Sequence, residues 1–211
     1  MKTYSIPLDE IRREHVVINS KFIATLAPVF SPEEARLFIS RIKKEFADAS
    51  HNVSAYIIGG GNTVTDFCSD DGEPAGTAGK PALAVLRGSG LGDAAVVVTR
   101  YFGGTLLGTG GLVKAYTEST QLVVNAVGRG RRVAVNVATV AIPYNLLERV
   151  RLMVKRNQGE VLGEDFAADI TMTLQCPVES FDGFQDELQQ LSAGKIKAEV
   201  IESAEKIVQM I

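Results

Sequence analysis

Residues 169–176 read DITMTLQC, with Ile170, Met172, Leu174 and Cys176 alternating with polar neighbours. Side chains on a strand point to opposite faces with a period of two, so this stretch predicts a strand with one apolar face. Upstream, residues 160–166 predict a partner strand one short turn away. Residues 145–157 predict a helix capped by Asn145, with Glu148 at the capping-box position, and residues 133–142 a first strand. Downstream, Phe181, Phe184, Leu188 and Leu191 recur at helical spacing up to Gly194. Ile196, Ala198 and Val200 then alternate in a last strand. The order βαββαβ predicts a ferredoxin-like sandwich with an antiparallel sheet. That fold hosts many functions and implies none by itself.

The run Gly128-Arg129-Gly130-Arg131-Arg132 precedes this pattern and follows a long helical one, so the domain boundary is placed there: residues 1–130 and 131–211. The first part is unlike the second in its glycines, 14 of the 20 falling between Gly59 and Gly111. Such a density predicts tight turns or close backbone approaches. Ser31 is the expected N-cap of a helix, with Pro32 in its first turn, Glu34 closing a capping box, and Ala35, Phe38, Ile42 and Phe46 on its buried face. Residues 53–58 and 63–68 read as a hairpin around Gly59–Asn62. Residues 94–101 are a continuous apolar run, predicted as a central strand. Leu112, Tyr116, Ser119, Val123 and Ala126 then line one helix face, with Gly128 as the expected C-cap. The whole chain is therefore of the α+β class.

Composition narrows the function classes. The chain has 211 residues, 45% of them hydrophobic, enough for two modest cores without disulfide staples. Cys68 and Cys176 stand apart with no Cys/His cluster around them and read as free thiols of a reducing compartment. His15 and His51 are too few for a histidine-rich metal site. The N-terminal stretch lacks the apolar core of a signal peptide, and no apolar run approaches the ~20 residues of a membrane span. A cytoplasmic protein without membrane contact is expected, of unassigned oligomeric state. Net charge is −3, with 13 basic and 13 acidic residues up to Arg129 and 9 and 12 beyond it. Neither part has the bulk positive charge of a duplex-binding domain, so any nucleic-acid site must be a local patch.

Three segments carry polar chemistry. In SDDGEPAGTAGKP (69–81), Asp70, Asp71 and Glu73 precede a glycine turn and Lys80. A carboxylate cluster suits Mg²⁺ or acid–base work, whereas the plain reading is a loop whose acids cap turns and a helix starting near Pro81. It is not a P-loop: Pro81 stands where the Mg²⁺-binding hydroxyl belongs and Pro74 where the first glycine belongs. In VVVTRYFGGTLLGTGGLVKAY (96–116), a strand runs through Gly103, Gly104, Gly108, Gly110 and Gly111 into a helix. A helix N-terminus favours an anion, here with Arg100 and Lys114 nearby and Tyr101 or Phe102 able to stack a base. Close strand–helix packing explains the glycines equally. In SHNVSAYIIGG (50–60), His51 is a candidate base or ligand contact, or a structural hydrogen-bonding residue, and Asn52 orders the turn.

Taken in order, these segments, with Ser20-Lys21-Phe22-Ile23-Ala24 ahead of them, resemble the IMPACT family over residues 16–127. The attached βαββαβ domain is similar to the last domain of elongation factor G. The resemblance implies a ribosomal protein S5 domain 2-like first domain and a cytosolic protein without established catalysis. It also implies a relation to eukaryotic translational regulators that act through protein partners. The leading expectation is a non-catalytic binding or regulatory protein with no cofactor and no metal. Its expected partner is a ribosome, an RNA or a translation-associated protein, contacted around Lys80, Arg100, Tyr101 and Lys114. The rival is a small enzyme joining Asp70, Asp71 and Glu73 to the glycine loop around a phosphorylated substrate. Convergence of those carboxylates on the loop discriminates between the two.

Overall fold

The computed structural model describes residues 4–60 and 63–209. The chain is α+β and divides into two compact units, the first ending at Arg131 and the second running Arg132–Val208. Gly61 and Asn62 of the expected hairpin turn lie outside the described residues.

The first unit contains β1 (Ile6–Pro7), β2 (Ile11–Val17), β3 (Ser20–Pro28), α1 (Pro32–Glu45), β4 (His51–Gly60), β5 (Thr63–Ser69), α2 (Gly79–Gly88), β6 (Ala94–Tyr101) and α3 (Gly108–Ala126). Its main sheet has the order β2-β3-β6-β4-β5, with every pairing antiparallel. β6 is central, and the physical reason for its unbroken apolar run is that both its faces are covered. Val96 and Val98 pack with Leu83 and Leu86 of α2 and with Leu112 and Tyr116 of α3, whereas Ala95 and Val97 pack with Phe38 and Ile42 of α1.

Helix ends differ in part from expectation. Ser31 caps α1 by accepting the Glu34 N–H at 3.1 Å, but the Glu34 carboxylate takes the N–H of Phe30 rather than closing the box on Ser31. The C-cap of α3 is Val127 in extended conformation, not Gly128, and Ala126 is exposed. Gly128 packs instead against Leu8, whose Cδ1 would lie 3.0 Å from an added Cβ and would have to shift.

The run Gly128–Arg132 is not a loop. β7 (Arg129–Ile142) begins inside it, its first residues pairing with β1 in the first unit. In the second unit β7 continues with α4 (Leu147–Arg156), β8 (Glu160–Phe166), β9 (Ile170–Pro177), α5 (Val178–Leu191) and β10 (Glu199–Gln209). The strand order β10-β7-β9-β8, with β7–β9 and β8–β9 antiparallel, is that of a ferredoxin-like sandwich. Ile170, Met172, Leu174 and Cys176 are buried against Val150, Phe184 and Leu188, as the alternation requires. Asn145 does not cap α4; it lies in a short 3-10 turn, the cap position falls to Leu146, and Glu148 pairs with Arg151. The last strand starts at Glu199 rather than Ile196.

Candidate functional site

The site grows from the end of β6. Val96, Val98 and Arg100 share one face of the strand, the face covered by α2 and α3. Arg100 is therefore carried under α3, where only 5% of it stays exposed. Its guanidinium lies 5.5 Å from the ring centroids of both Phe22 and Phe102. Nη1 donates to Glu73 Oε1 at 2.7 Å and Nη2 to Ser20 Oγ at 3.3 Å. The Tyr116 hydroxyl also donates to Glu73 Oε1, at 2.7 Å. Burial first, and then this bond to a carboxylate, hold the Tyr116 hydroxyl well above its ordinary range.

Glu73 reaches this depth because its loop is folded by its own acids. Asp70 accepts the N–H groups of Gly76, Ala78 and Gly79 at 2.8, 3.2 and 2.8 Å, capping the start of α2. Asp71 adopts a φ of +48° and is followed by Gly72 at +88°, which turns the chain so that Glu73 points inward. The Asp71 carboxylate accepts the Asn52 N–H at 2.6 Å and pairs with Lys43. Asn52, buried, accepts in turn from the Thr99 hydroxyl at 2.7 Å. His51 Nδ1 lies 2.8 Å from the Asp71 carbonyl oxygen. A carbonyl can only accept, so Nδ1 carries the proton and Nε2 is an acceptor in the neutral ring. That Nε2 is 3.9 Å from Glu73 Oε2.

These groups wall a cleft of about 440 Å³ between residues 72–74, the end of β6 and the first turn of α3. Its mouth carries Phe102, 47% exposed, and Leu106, 85% exposed. α3 starts after Leu107, which offers no capping side chain, so its first N–H groups have no side-chain cap where Gly108 and Thr109 line the cleft.

Residues 18–124, which include every group named above, match the Impact N-terminal domain. The chain belongs to the IMPACT family. Residues 140–195 match a second domain model, described as a domain of unknown function (DUF1949). An IMPACT family member of Haemophilus influenzae is 36% identical over 97% of this chain and 100% of its own length. The IMPACT family member YigZ of Escherichia coli is 34% identical over 96% and 100%. A crystal structure described as that of a hypothetical protein superposes with a TM-score of 0.63 at 33% identity, covering 96% of this chain and 98% of the other.

In this IMPACT-family unit the expected site residues separate into distinct groups. Arg100, Glu73 and His51 come together; Asp70 and Asp71 face away from the glycine loop onto their own partners. Of the three carboxylates only Glu73 reaches the cleft beside the loop, and among the described residues no cluster of His, Cys, Asp and Glu suits a metal. Arg100 is no surface cation. Lys80 is exposed on the first turn of α2, where its charge helps hold Asp70 ionised. Lys114 is exposed and sits 3.8 Å from Glu118. The Tyr101 hydroxyl donates to Asp48 at 2.8 Å. The glycines of the loop differ in what they meet. A Cβ on Gly103 would lie 1.9 Å from the Asn19 carbonyl oxygen, and Gly104 and Gly108 have φ of +81° and +70°. Gly110 meets nothing within 4 Å, and Gly111 touches Leu107.

Ser20 and Tyr116 escaped the sequence reading as polar contributors. Tyr116 reads as one more core residue of α3, and only its depth beside Glu73 reveals its hydroxyl's task. Both cysteines are free. Burial pushes the thiol of Cys68 up, and that of Cys176 to about 11, which leaves neither activated as a nucleophile. No helix of the described residues is long and apolar enough to cross a membrane.

Asp70 supplies a pH test. Burial pushes its carboxyl up, but the three N–H groups and the Lys80 charge outweigh it, and the folded value lies below the ordinary one. Such a group adds stability above its unfolded value near ~3.9, and the gain is lost as pH falls through the folded value. Asp70→Asn turns one of the two accepting oxygens into an NH2 that cannot accept, and is expected to cost roughly 1 kcal/mol at pH 7, the size of a lost hydrogen bond. The gap to wild type should close on acidification. Urea unfolding of both proteins from pH 7 down to pH 3 checks it, and a gap independent of pH would refute the assignment.

Proposed function

We propose that the protein is a non-catalytic binding and regulatory protein acting in the control of translation, with a translation-associated protein as its partner. Membership of the IMPACT family supports the regulatory role, through the relation to translational regulators that the sequence resemblance implies. The observation that carries the binding mode is the glycine loop after β6. It holds an aromatic and an aliphatic side chain, Phe102 and Leu106, out at the mouth of a preformed cleft. Exposed anchors beside a pocket are the anatomy of a recognition surface.

The charge distribution favours protein over RNA. Arg100 is spent on Glu73, which leaves only Lys80 and Lys114 of the expected contact patch as surface cations, on a chain of net charge −3. Two lysines neutralise at most about two phosphates, too few for tight backbone binding. The test is a pulldown from cell lysate, with and without nuclease, using wild type and Phe102→Ala/Leu106→Ala. Both side chains are exposed, so the variant should fold. The expected result is capture of translation-associated proteins that survives nuclease and falls at least about tenfold in the variant. Capture abolished by nuclease would replace the protein partner by RNA, and capture unchanged by the variant would remove this face from the contact.

A further inference from the structure

The cleft behind the glycine loop has two opposed walls. One is built of acceptors. Glu73 is buried, its side chain 3% exposed, and Arg100 and Tyr116 both bind the same oxygen, Oε1. Oε2 receives no hydrogen bond among the described residues and faces His51 Nε2 across 3.9 Å, too far for a direct bond. With Nδ1 committed to the Asp71 carbonyl, Nε2 is the acceptor of the neutral ring. Two fixed acceptors at that separation suit one shared donor with several protons. The other wall carries donors: Gly108 and Thr109 line it and, with Gly110, open a 19-residue helix with no side-chain cap. Their N–H groups and the helix dipole favour a carboxylate. Between the walls the lining is apolar, from Pro74, Phe102, Leu106, Leu107 and Leu112.

The charge count selects among anions. No lysine lines the cleft, and its one lining arginine is already neutralised by Glu73. A di- or trianionic phosphate would meet a helix end and no free counterion, beside a buried carboxylate. A monoanion carried on a molecule that also bears an ammonium group meets complementary partners at both ends.

We propose that this cleft binds a small zwitterion with an apolar body: a free apolar amino acid or a short apolar peptide. The ammonium group sits on Glu73 Oε2 and His51 Nε2, and the carboxylate on the first-turn N–H groups of α3. The volume, about 440 Å³, lies within the usual range for small-ligand sites. Arg100, Tyr116 and Ser20 then act as positioning residues that hold Glu73 in place.

The experiment uses the purified full chain with no lysate partner, so its failure leaves the proposed protein contact standing. Titration calorimetry and amide NMR compare leucine, Leu-Leu, N-acetyl-leucine, leucinamide, AMP and inorganic phosphate. Leucine or Leu-Leu should bind and shift the amides of Gly108, Thr109 and Gly110, and which of the two binds tighter tells the amino acid from the peptide. Blocking either end should weaken binding at least about tenfold, the loss of a charge-assisted hydrogen bond. His51→Ala should weaken leucine or Leu-Leu several-fold and leave N-acetyl-leucine unchanged, a difference that mere unfolding would not produce. Glu73→Gln, checked for fold by circular dichroism, should weaken the zwitterions further. The proposal is overturned if no zwitterion binds at about 10 mM, a concentration that would reveal even millimolar affinity. It is equally overturned if N-acetyl-leucine binds as well as leucine, or if phosphate or AMP binds in their place.

Discussion

Arg100→Ala is expected to destabilise the first unit by about 3–5 kcal/mol, the cost of leaving a buried charge without its partner. The size follows from where the charge is left. Glu73 and Arg100 have side chains only 3% and 6% exposed, so water cannot replace the lost guanidinium. The substitution also empties the space between Phe22 and Phe102 and removes a donor from Ser20. Much of the loss is the penalty of an orphaned carboxylate rather than the strength of the pair. The cycle of Arg100→Ala, Glu73→Gln and the double variant should therefore show a coupling of about 1–3 kcal/mol. Urea unfolding followed by far-ultraviolet circular dichroism measures it. Additive single effects would mean that the pair is not coupled and that Glu73 is held in place by Tyr116 alone.

Phe184→Ala should cost a similar amount, roughly 3–5 kcal/mol, by a different mechanism. Phe184 is fully buried in the second unit, packed 6.1 Å from the ring of Phe181 and among Met172, Leu174 and Leu188. Removing the ring leaves a cavity that the fixed strands of β7 and β9 cannot close. Because the chain divides into two compact units, the loss is expected to fall on residues 132–208 and to spare the first. Native-state hydrogen exchange checks this residue by residue. Protection should drop in β7, β9 and α5 and persist in β3, β6 and α3. A uniform drop across the chain would refute separate units.

The candidate site was legible in part. The strand–glycine–helix order of residues 96–116 marks a backbone built for close approach, and the backbone of Asn19 does pass against Gly103. The role of Arg100 was not. An arginine at the end of an apolar strand followed by aromatics and glycines looks like a surface cation waiting for phosphate. Its charge is consumed by Glu73, 27 residues earlier, in a loop whose acids look alike in sequence. Asp70, Asp71 and Glu73 occupy nearly adjacent positions yet face a helix end, a lysine and a buried guanidinium. Side-chain direction there depends on the positive φ of Asp71 and Gly72, which no periodicity encodes.

The sequence by itself determined the elements that repeat. The alternation at Ile170, Met172, Leu174 and Cys176, the helical spacing of Ala35, Phe38 and Ile42, and the unbroken run of β6 each express a local period imposed by burial. They suffice for the α+β class and the βαββαβ order. Tertiary structure alone decided the pairings between distant residues. Gly103 is glycine because the backbone at Asn19 passes against it, and Glu73 keeps its place because Tyr116 and Arg100 meet it from another helix and another strand. Such choices carry no local signature, because the energy that enforces them arises only when chain segments far apart in sequence exclude water together.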